Sequence, residues 1–229
     1  MKNVVITGCN RGLGSGIRNV FTSNGNYHVY GINRTKTSET IENYSEISCD
    51  VSSSNEVDAI VENLPENIDL LVINAGIRRF SEVENMTLED WNDSVATNLN
   101  GAFYILRKLI PAVKKCKGDI IIVGSHSEKY TFEGGAAYCS TKGALKELAG
   151  CLMDELRYDD VRVTYLSLGS IKNRDHGYDE SWKLIPEEVG QAIYDFSTLP
   201  KNVLIPYADI RPLKPLKDSK SGMDRLQYV

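Results

Sequence analysis

Tyr138-Cys139-Ser140-Thr141-Lys142 places a phenol and an ammonium one helical turn apart, with the hydroxyl of Ser125 thirteen residues upstream. A phenol with an ordinary pKa of about 10 titrates closer to neutrality beside a cation, because the charge favours the phenolate. Such a group can give a proton to a substrate oxygen or take one from it. Taken alone, however, a Tyr-x-x-x-Lys pair also fits a solvated helix face, so its meaning depends on the elements around it.

The first of these elements is Thr7-Gly8-Cys9-Asn10-Arg11-Gly12-Leu13-Gly14, which lies between a predicted strand and a predicted helix. Glycines there let the backbone turn tightly and approach a pyrophosphate, while the helix start offers unpaired N–H donors and a positive dipole end. The second predicted strand ends in Tyr30-Gly31-Ile32-Asn33-Arg34, with no acid to accept hydrogen bonds from an unmodified ribose. Asn33 can donate there, Arg34 can pair with a phosphate, and Arg11 adds a second charge on the same side. This pattern predicts NADP(H) rather than NAD(H).

Short β-branched runs at 3–7, 28–32, 46–51, 69–74, 119–124 and 161–166 alternate with helical periodicity at 14–23, 54–63, 88–115 and 138–158. A last short strand is predicted at 208–211. Strands of nearly continuous apolar character suit a parallel sheet covered on both faces. The predicted fold is therefore α/β: a three-layer, doubly wound Rossmann arrangement with a mostly parallel sheet of about seven strands, in one domain spanning 1–229. Thr87 and Asp90 read as the cap of the helix near Leu88, a Ser-rich cap precedes the helix near Ser54, and Pro111 is expected to kink or end its helix. The tail 213–229 is expected to be loosely ordered.

The 229 residues carry a formal charge of -5, which disfavours a nucleic-acid surface as the main partner. No apolar run is long enough to span a bilayer, and the start does not read as a signal peptide, so a cytoplasmic protein is expected. Five cysteines without a CxxC pair and three scattered histidines argue against a disulfide framework or a metal site. Free thiols are the expectation.

The chain resembles the compact single-domain branch of the short-chain dehydrogenase/reductase family. Six elements in order carry the resemblance: the loop at Gly8, Gly12 and Gly14; Asp50-Val51, which the family uses beside the adenine; Asn74-Ala75-Gly76; Asn98-Leu99-Asn100-Gly101; Ser125; and Tyr138 with Lys142. Together they cover about three quarters of the chain. Two departures follow the sixth strand, where Leu168-Gly169 and Asn173 stand in place of the common Pro-Gly and threonine.

The resemblance implies hydride transfer between a nicotinamide and a carbonyl carbon, with Tyr138 as general acid/base. It further implies that Lys142 holds the nicotinamide ribose, that Ser125 polarises the substrate oxygen, and that Asn98 binds a water linking Lys142 to solvent. The family's serine-to-tyrosine spacing selects Ser125 over Ser127. Cofactor contacts are expected from Gly8, Asn10, Arg11, Gly12, Leu13, Gly14, Asn33, Arg34, Asp50, Val51, Asn74, Ala75, Gly76, Tyr138, Lys142, Gly169 and Ile171. Asn173 is a candidate for the carboxamide.

The substrate is expected to be a small carbonyl or alcohol. Arg78 and Arg79, with Lys129, Lys172 and Arg174, suggest a phosphate, carboxylate or nucleotide on it, or else a charged rim with no substrate role. His126 is a further candidate contact, and 172–185 reads as a short, polar substrate loop containing Asp175, His176, Asp179 and Glu180. Competing readings are an epimerase or dehydratase of the nucleotide-sugar type and a non-catalytic NADP-binding sensor. The resemblance also implies a homodimer or homotetramer paired through the long helices.

Overall fold

The computed structural model describes residues 1–37, 39–173 and 180–214. Seven strands form one parallel sheet: β1 (Lys2–Thr7), β2 (Tyr27–Asn33), β3 (Tyr44–Ser48), β4 (Leu70–Ile73), β5 (Asp119–Val123), β6 (Arg162–Leu168) and β7 (Tyr207–Ile210). Their spatial order is β3-β2-β1-β4-β5-β6-β7. The winding therefore reverses between β1 and β4, and at such a reversal the loops leaving the carboxyl ends of neighbouring strands diverge and open a crevice.

The helices are α1 (Gly12–Thr22), α2 (Ser54–Ile60), α3 (Leu88–Val95), α4 (Gly101–Lys115), α5 (Ala136–Leu156) and α6 (Pro186–Thr198). Successive strand residues face opposite sides of the sheet, so each strand feeds two cores. Val5, Leu71, Ile120 and Ile122 pack with Ile105, Leu109, Leu145, Leu152 and Leu156 of α4 and α5. Val4, Ile6, Val72 and Ile121 pack on the other face with Ile17 and Phe21 of α1 and with Val189 and Ile193 of α6.

The predicted caps form: Thr87 Oγ1 accepts from Asp90 N–H at 3.0 Å, and Ser53 Oγ accepts from Glu56 N–H at 3.3 Å. Two expectations about helices are corrected. The helix predicted over 88–115 is three segments, α3 and α4 being joined by a π-helical turn, Ala96–Asn100. Pro111 does not end α4, which runs on to Lys115; the proline lies on the exposed side, where water can satisfy the carbonyl it leaves unpaired.

Helix α6 was not anticipated. It packs closely on α1, where a Cβ on Gly16 would lie 2.3 Å from Pro186 Cβ. The predicted tail lies mostly outside the described residues, as do Arg174, Asp175, His176 and Asp179 of the predicted substrate loop.

Candidate active site

The loops leaving β1 and β4 are tied together at the reversal. Thr7 Oγ1 accepts from the Asn74 and Ala75 N–H groups at 2.9 and 3.0 Å, and Asn74 Nδ2 donates to the carbonyls of Thr7 and Gly8 at 2.9 and 2.8 Å. Gly8 and Gly12 adopt φ of +70° and +55°, in the left-handed region that favours glycine. A Cβ on Gly14 would lie 2.1 Å from Gly8 O, so the helix start and the loop can meet only without one. At that start the Leu13 N–H donates to Asn173 Oδ1 at 2.9 Å. An internal side chain, Asn173, thus caps the helix start and lies over Gly12 instead of standing free for a carboxamide.

Arg11 and Arg34 are both exposed on the rim of this end. Asn33 turns inward instead of outward as expected. Its Oδ1 accepts from Cys9 N–H at 2.7 Å, and its Nδ2 has Asn10 Oδ1, Tyr44 Oη and Glu46 Oε1 within 3.0 Å. The buried amide braces the glycine loop against β3 and has no donor left over for a ligand. Asn10 Nδ2 reaches back to the Thr35 carbonyl. Farther along the edge, Asp50 Oδ1 accepts from Ser52 N–H and Oγ, and Val51 is buried against Gly101.

The proton-transfer residues gather on the other side of the reversal. Ser125 leaves β5 and caps one 3-10 turn, His126–Glu128, accepting from Ser127 N–H at 3.2 Å. Tyr138 lies in the first turn of α5, and Lys142 follows one turn later. Lys142 is buried, its Nζ donating to the Val123 carbonyl at 2.7 Å and lying 5.9 Å from the Tyr138 ring centroid. On another side the Arg78 guanidinium lies 5.8 Å from the same centroid.

Burial pushes the Tyr138 phenol up. The charges of Lys142 and Arg78, with hydrogen bonding from Ser125 and Arg78, outweigh that burial and hold it below the usual phenol range. Burial pushes the Lys142 ammonium down, against the opposing pull of Tyr138. The arrangement can therefore move a proton at one oxygen site under two cations.

Asn98 sits in the π turn and is buried. Its Oδ1 accepts from Ile77 N–H at 2.7 Å, and its Nδ2 donates to the Ile77 carbonyl at 3.0 Å and to Thr141 Oγ1 at 3.2 Å. The side chain thus clamps the loop that carries Arg78 to the helix that carries Lys142.

Residues 2–182 match the family model for short chain dehydrogenases. The chain belongs to the short-chain dehydrogenase family. An uncharacterised oxidoreductase of Staphylococcus saprophyticus is 30% identical over 226 residues, covering 93% of this chain and 88% of that protein. An NADP-dependent 3-hydroxy acid dehydrogenase of Salmonella typhi, YdfG, is 26% identical over 234 residues, covering 92% and 94%. Among solved structures, serine dehydrogenase from Escherichia coli superposes with a TM-score of 0.82 at 28% identity, covering 92% of this chain and 97% of that one. A closed serine dehydrogenase complexed with NADP+ gives 0.84 at 26% identity, covering 95% and 97%.

Membership of the short-chain dehydrogenases orders the remaining candidates. Gly169 N–H donates to the Ile210 carbonyl at 2.9 Å, and Ile171 bridges to Leu184, which fixes the strand exit that carries Asn173. Arg79 turns away from the phenol, its Nε 2.9 Å from Asp90 Oδ1 and its Nη2 3.5 Å from Asp93 Oδ2. His126, a candidate substrate contact, is engaged within the protein. The ring is buried, with Nε2 2.7 Å from Asp209 Oδ1 on β7, and Arg211 grips the same carboxylate. Burial raises the Asp209 pKa, and these two partners more than reverse the effect.

Three features of the chain went unread in the sequence: the inward brace at Glu46, the Asp209 partner of His126, and an aromatic wall. In that wall Phe80 meets the Tyr138 ring edge-on at 6.0 Å and Phe132 at 5.3 Å. Each depends on a contact between distant segments, though Phe80, two residues past Arg78, could have been read as part of the site mouth. Among the described residues no cluster of three or more His, Cys, Asp or Glu could hold a metal. No helix among them is long and apolar enough to cross a membrane.

Proposed function

We propose that this chain is an NADP(H)-dependent oxidoreductase interconverting a carbonyl and a secondary alcohol, with Tyr138 as general acid/base. The observation that carries the reading is that Lys142 Nζ and the Arg78 guanidinium both lie within 6 Å of the Tyr138 ring centroid. The nicotinamide cofactor would supply or accept the hydride.

Tyr138 gives its proton to the carbonyl oxygen in reduction and takes one back in oxidation. Ser125 donates to that oxygen and polarises it. Lys142 favours the phenolate and holds the nicotinamide ribose hydroxyls. Asn98, whose side-chain amide is engaged by Ile77 and Thr141, fixes the backbone that holds the water of a proton path to Lys142. Gly8 supplies the turn, the start of α1 at Gly12, Leu13 and Gly14 holds the pyrophosphate, which takes the Leu13 N–H over from Asn173, and Arg11 and Arg34 hold a 2'-phosphate. The similarity to an NADP-dependent 3-hydroxy acid dehydrogenase and to a serine dehydrogenase complexed with NADP+ supports NADP(H) and points to hydroxy acids as the class of substrate.

Catalytic efficiency with NADPH is expected to exceed that with NADH, and Arg34→Ala with Arg11→Ala should erase the difference. A clear NADH preference in the unmodified protein would refute the cofactor assignment. Tyr138→Phe should lower kcat at least 100-fold while leaving NADPH binding in place, since general acid/base groups typically contribute about 100- to 10,000-fold. We further propose that the protein works in the cytoplasm as a homodimer or homotetramer paired through α4 and α5. Phe103 of α4, 48% exposed, supports such a face.

A further inference from the structure

Tyr138 is flanked by two cations of different standing. Lys142 is part of the Tyr-x-x-x-Lys pair and is already bound to the Val123 carbonyl within the protein. Arg78 comes from the loop after β4, reaches the same ring at nearly the same distance, and remains exposed to solvent. Its neighbour Arg79 is compensated by Asp90 and Asp93. The two arginines, alike in sequence, therefore do different things. Arg79 fastens the loop to α3, and Arg78 presents a guanidinium at the reacting phenol.

Resting on the hydride-transfer reading above, we propose that Arg78 is the carboxylate anchor of the site. The substrate would be a short 2- or 3-oxo acid, or the matching hydroxy acid, whose carboxylate pairs with Arg78 while its carbonyl oxygen meets Tyr138. The spacing follows from the geometry. A guanidinium lying against the phenol can reach an anion only when that anion stands close to the oxygen the phenol protonates, so a long spacer between carboxylate and carbonyl would forfeit the contact.

The chemistry of the anion follows from the count of partners. One planar fork matches one carboxylate through two parallel bonds, whereas a phosphate dianion calls for further cations, and Arg79 has been turned away. The edge-on Phe80 and, behind it, Phe132 provide an apolar wall for a small carbon skeleton.

In the reductive direction the carbonyl carbon accepts a hydride from the reduced nicotinamide and the carbonyl π pair takes the Tyr138 proton. A C–H and an O–H bond form, the oxo acid becomes a hydroxy acid, and the nicotinamide is oxidised. The phenolate left behind is reprotonated from solvent. The carboxylate is unchanged, but its charge compensates Arg78, so the phenolate is less favoured in the complex than in the free protein. Substrate binding thereby helps Tyr138 keep its proton until the carbonyl is in place.

The test compares oxo acids with their neutral methyl esters, using NADPH and a series in which the carbonyl sits at carbon 2, 3, 4 or 5. Efficiency should favour the acid over the ester at positions 2 and 3 and lose that preference at 4 and 5. Arg78→Gln should cut the acid-over-ester ratio about 10- to 100-fold, as expected for losing one charge-assisted pairing. Arg78→Lys should recover part of it, and Arg79→Gln, which loosens the loop without removing the anchor, should lower the ratio far less than Arg78→Gln.

A readout without cofactor uses malonate as the anion and follows phenolate absorption as the difference between the unmodified protein and Tyr138→Phe. Malonate should move the Tyr138 titration to higher pH, and should not do so in Arg78→Gln. If acid and ester turn over alike and Arg78→Gln leaves their ratio unaltered, the anchor assignment is wrong while hydride transfer stands. If neither acids nor esters turn over, both fall together.

Discussion

At the residue scale, the decisive fact is that one phenol answers to two ammonium-like charges, so its titration is set by side chains whose removal has a predictable sign. Alcohol oxidation needs the phenolate. Its rate should rise as pH passes upward through a Tyr138 pKa held below the usual phenol range, and carbonyl reduction should fall over the same interval. Lys142→Met removes one cation and should move both limbs toward alkaline pH, in addition to lowering kcat. Arg78→Gln should move them the same way with a smaller loss of kcat. A pH profile unmoved by either substitution would mean that some other group titrates in the reaction.

The grouping of Lys142 with Tyr138 was legible in the sequence because it spans one helical turn, and Ser125 was reached through the family's serine-to-tyrosine spacing. The difference between Arg78 and Arg79 was not legible, because it is decided by Asp90 and Asp93 of α3. The inward turn of Asn33 was hidden for the same reason, since its partners Tyr44 and Glu46 belong to the next strand.

At the scale of elements, the strands followed from their apolar runs, whereas the long helix at 88–115 concealed its most useful detail. A π turn at Ala96–Asn100 adds a residue to the helical register, and such bulges often sit at functional positions because they redirect side chains. Here the turn is where Asn98 satisfies both backbone groups of Ile77 and bonds Thr141, next to Lys142. No periodicity rule distinguishes this from a continuous helix.

Asn98→Ala should therefore act on two levels. Leaving the part-buried Ile77 groups without partners is expected to cost about 1–3 kcal/mol, measured by urea unfolding. Loosening the loop that carries Arg78 should raise KM for an anionic substrate more than for a neutral one. Asn98→Asp keeps the acceptor for the Ile77 N–H but turns a carboxylate oxygen toward its carbonyl in a buried site, and should cost at least as much as Asn98→Ala. Equal stability of all three proteins would show that the clamp contributes nothing.

At the scale of the whole molecule, the sheet divides its labour between two edges. Its carboxyl edge carries the loops and exposed cations of the candidate site, and its amino edge is locked. Asp119 opens β5 and Arg162 opens β6, and their buried pair is doubly hydrogen-bonded at 2.8 and 2.7 Å. Arg162 also donates to the carbonyls of Leu199, Pro200 and Val203 at 3.1 to 3.2 Å. One guanidinium thus joins two central strands to the exit of α6.

The alternation of strands and helices made the doubly wound order readable. The lock was not readable, because α6 itself went unread and its exit supplies the acceptors. Arg162→Leu strands Asp119 in the interior with, among the described residues, only half-exposed Lys201, 3.2 Å away, to compensate it. Breaking a buried pair from one side costs about 3–5 kcal/mol, and the remaining lysine puts this case near the lower figure.

For a domain of this size that corresponds to a fall in Tm on the order of 10 °C. Asp119→Leu with Arg162→Leu should be more stable than Arg162→Leu alone, because the stranded charge goes with its partner. Both proteins should keep the kcat of the unmodified chain at a temperature where they remain folded, since the lock lies at the edge of the sheet away from Tyr138. If kcat instead falls in step with stability, the two edges are mechanically coupled, and the site depends on the whole sheet and not only on the loops at the reversal.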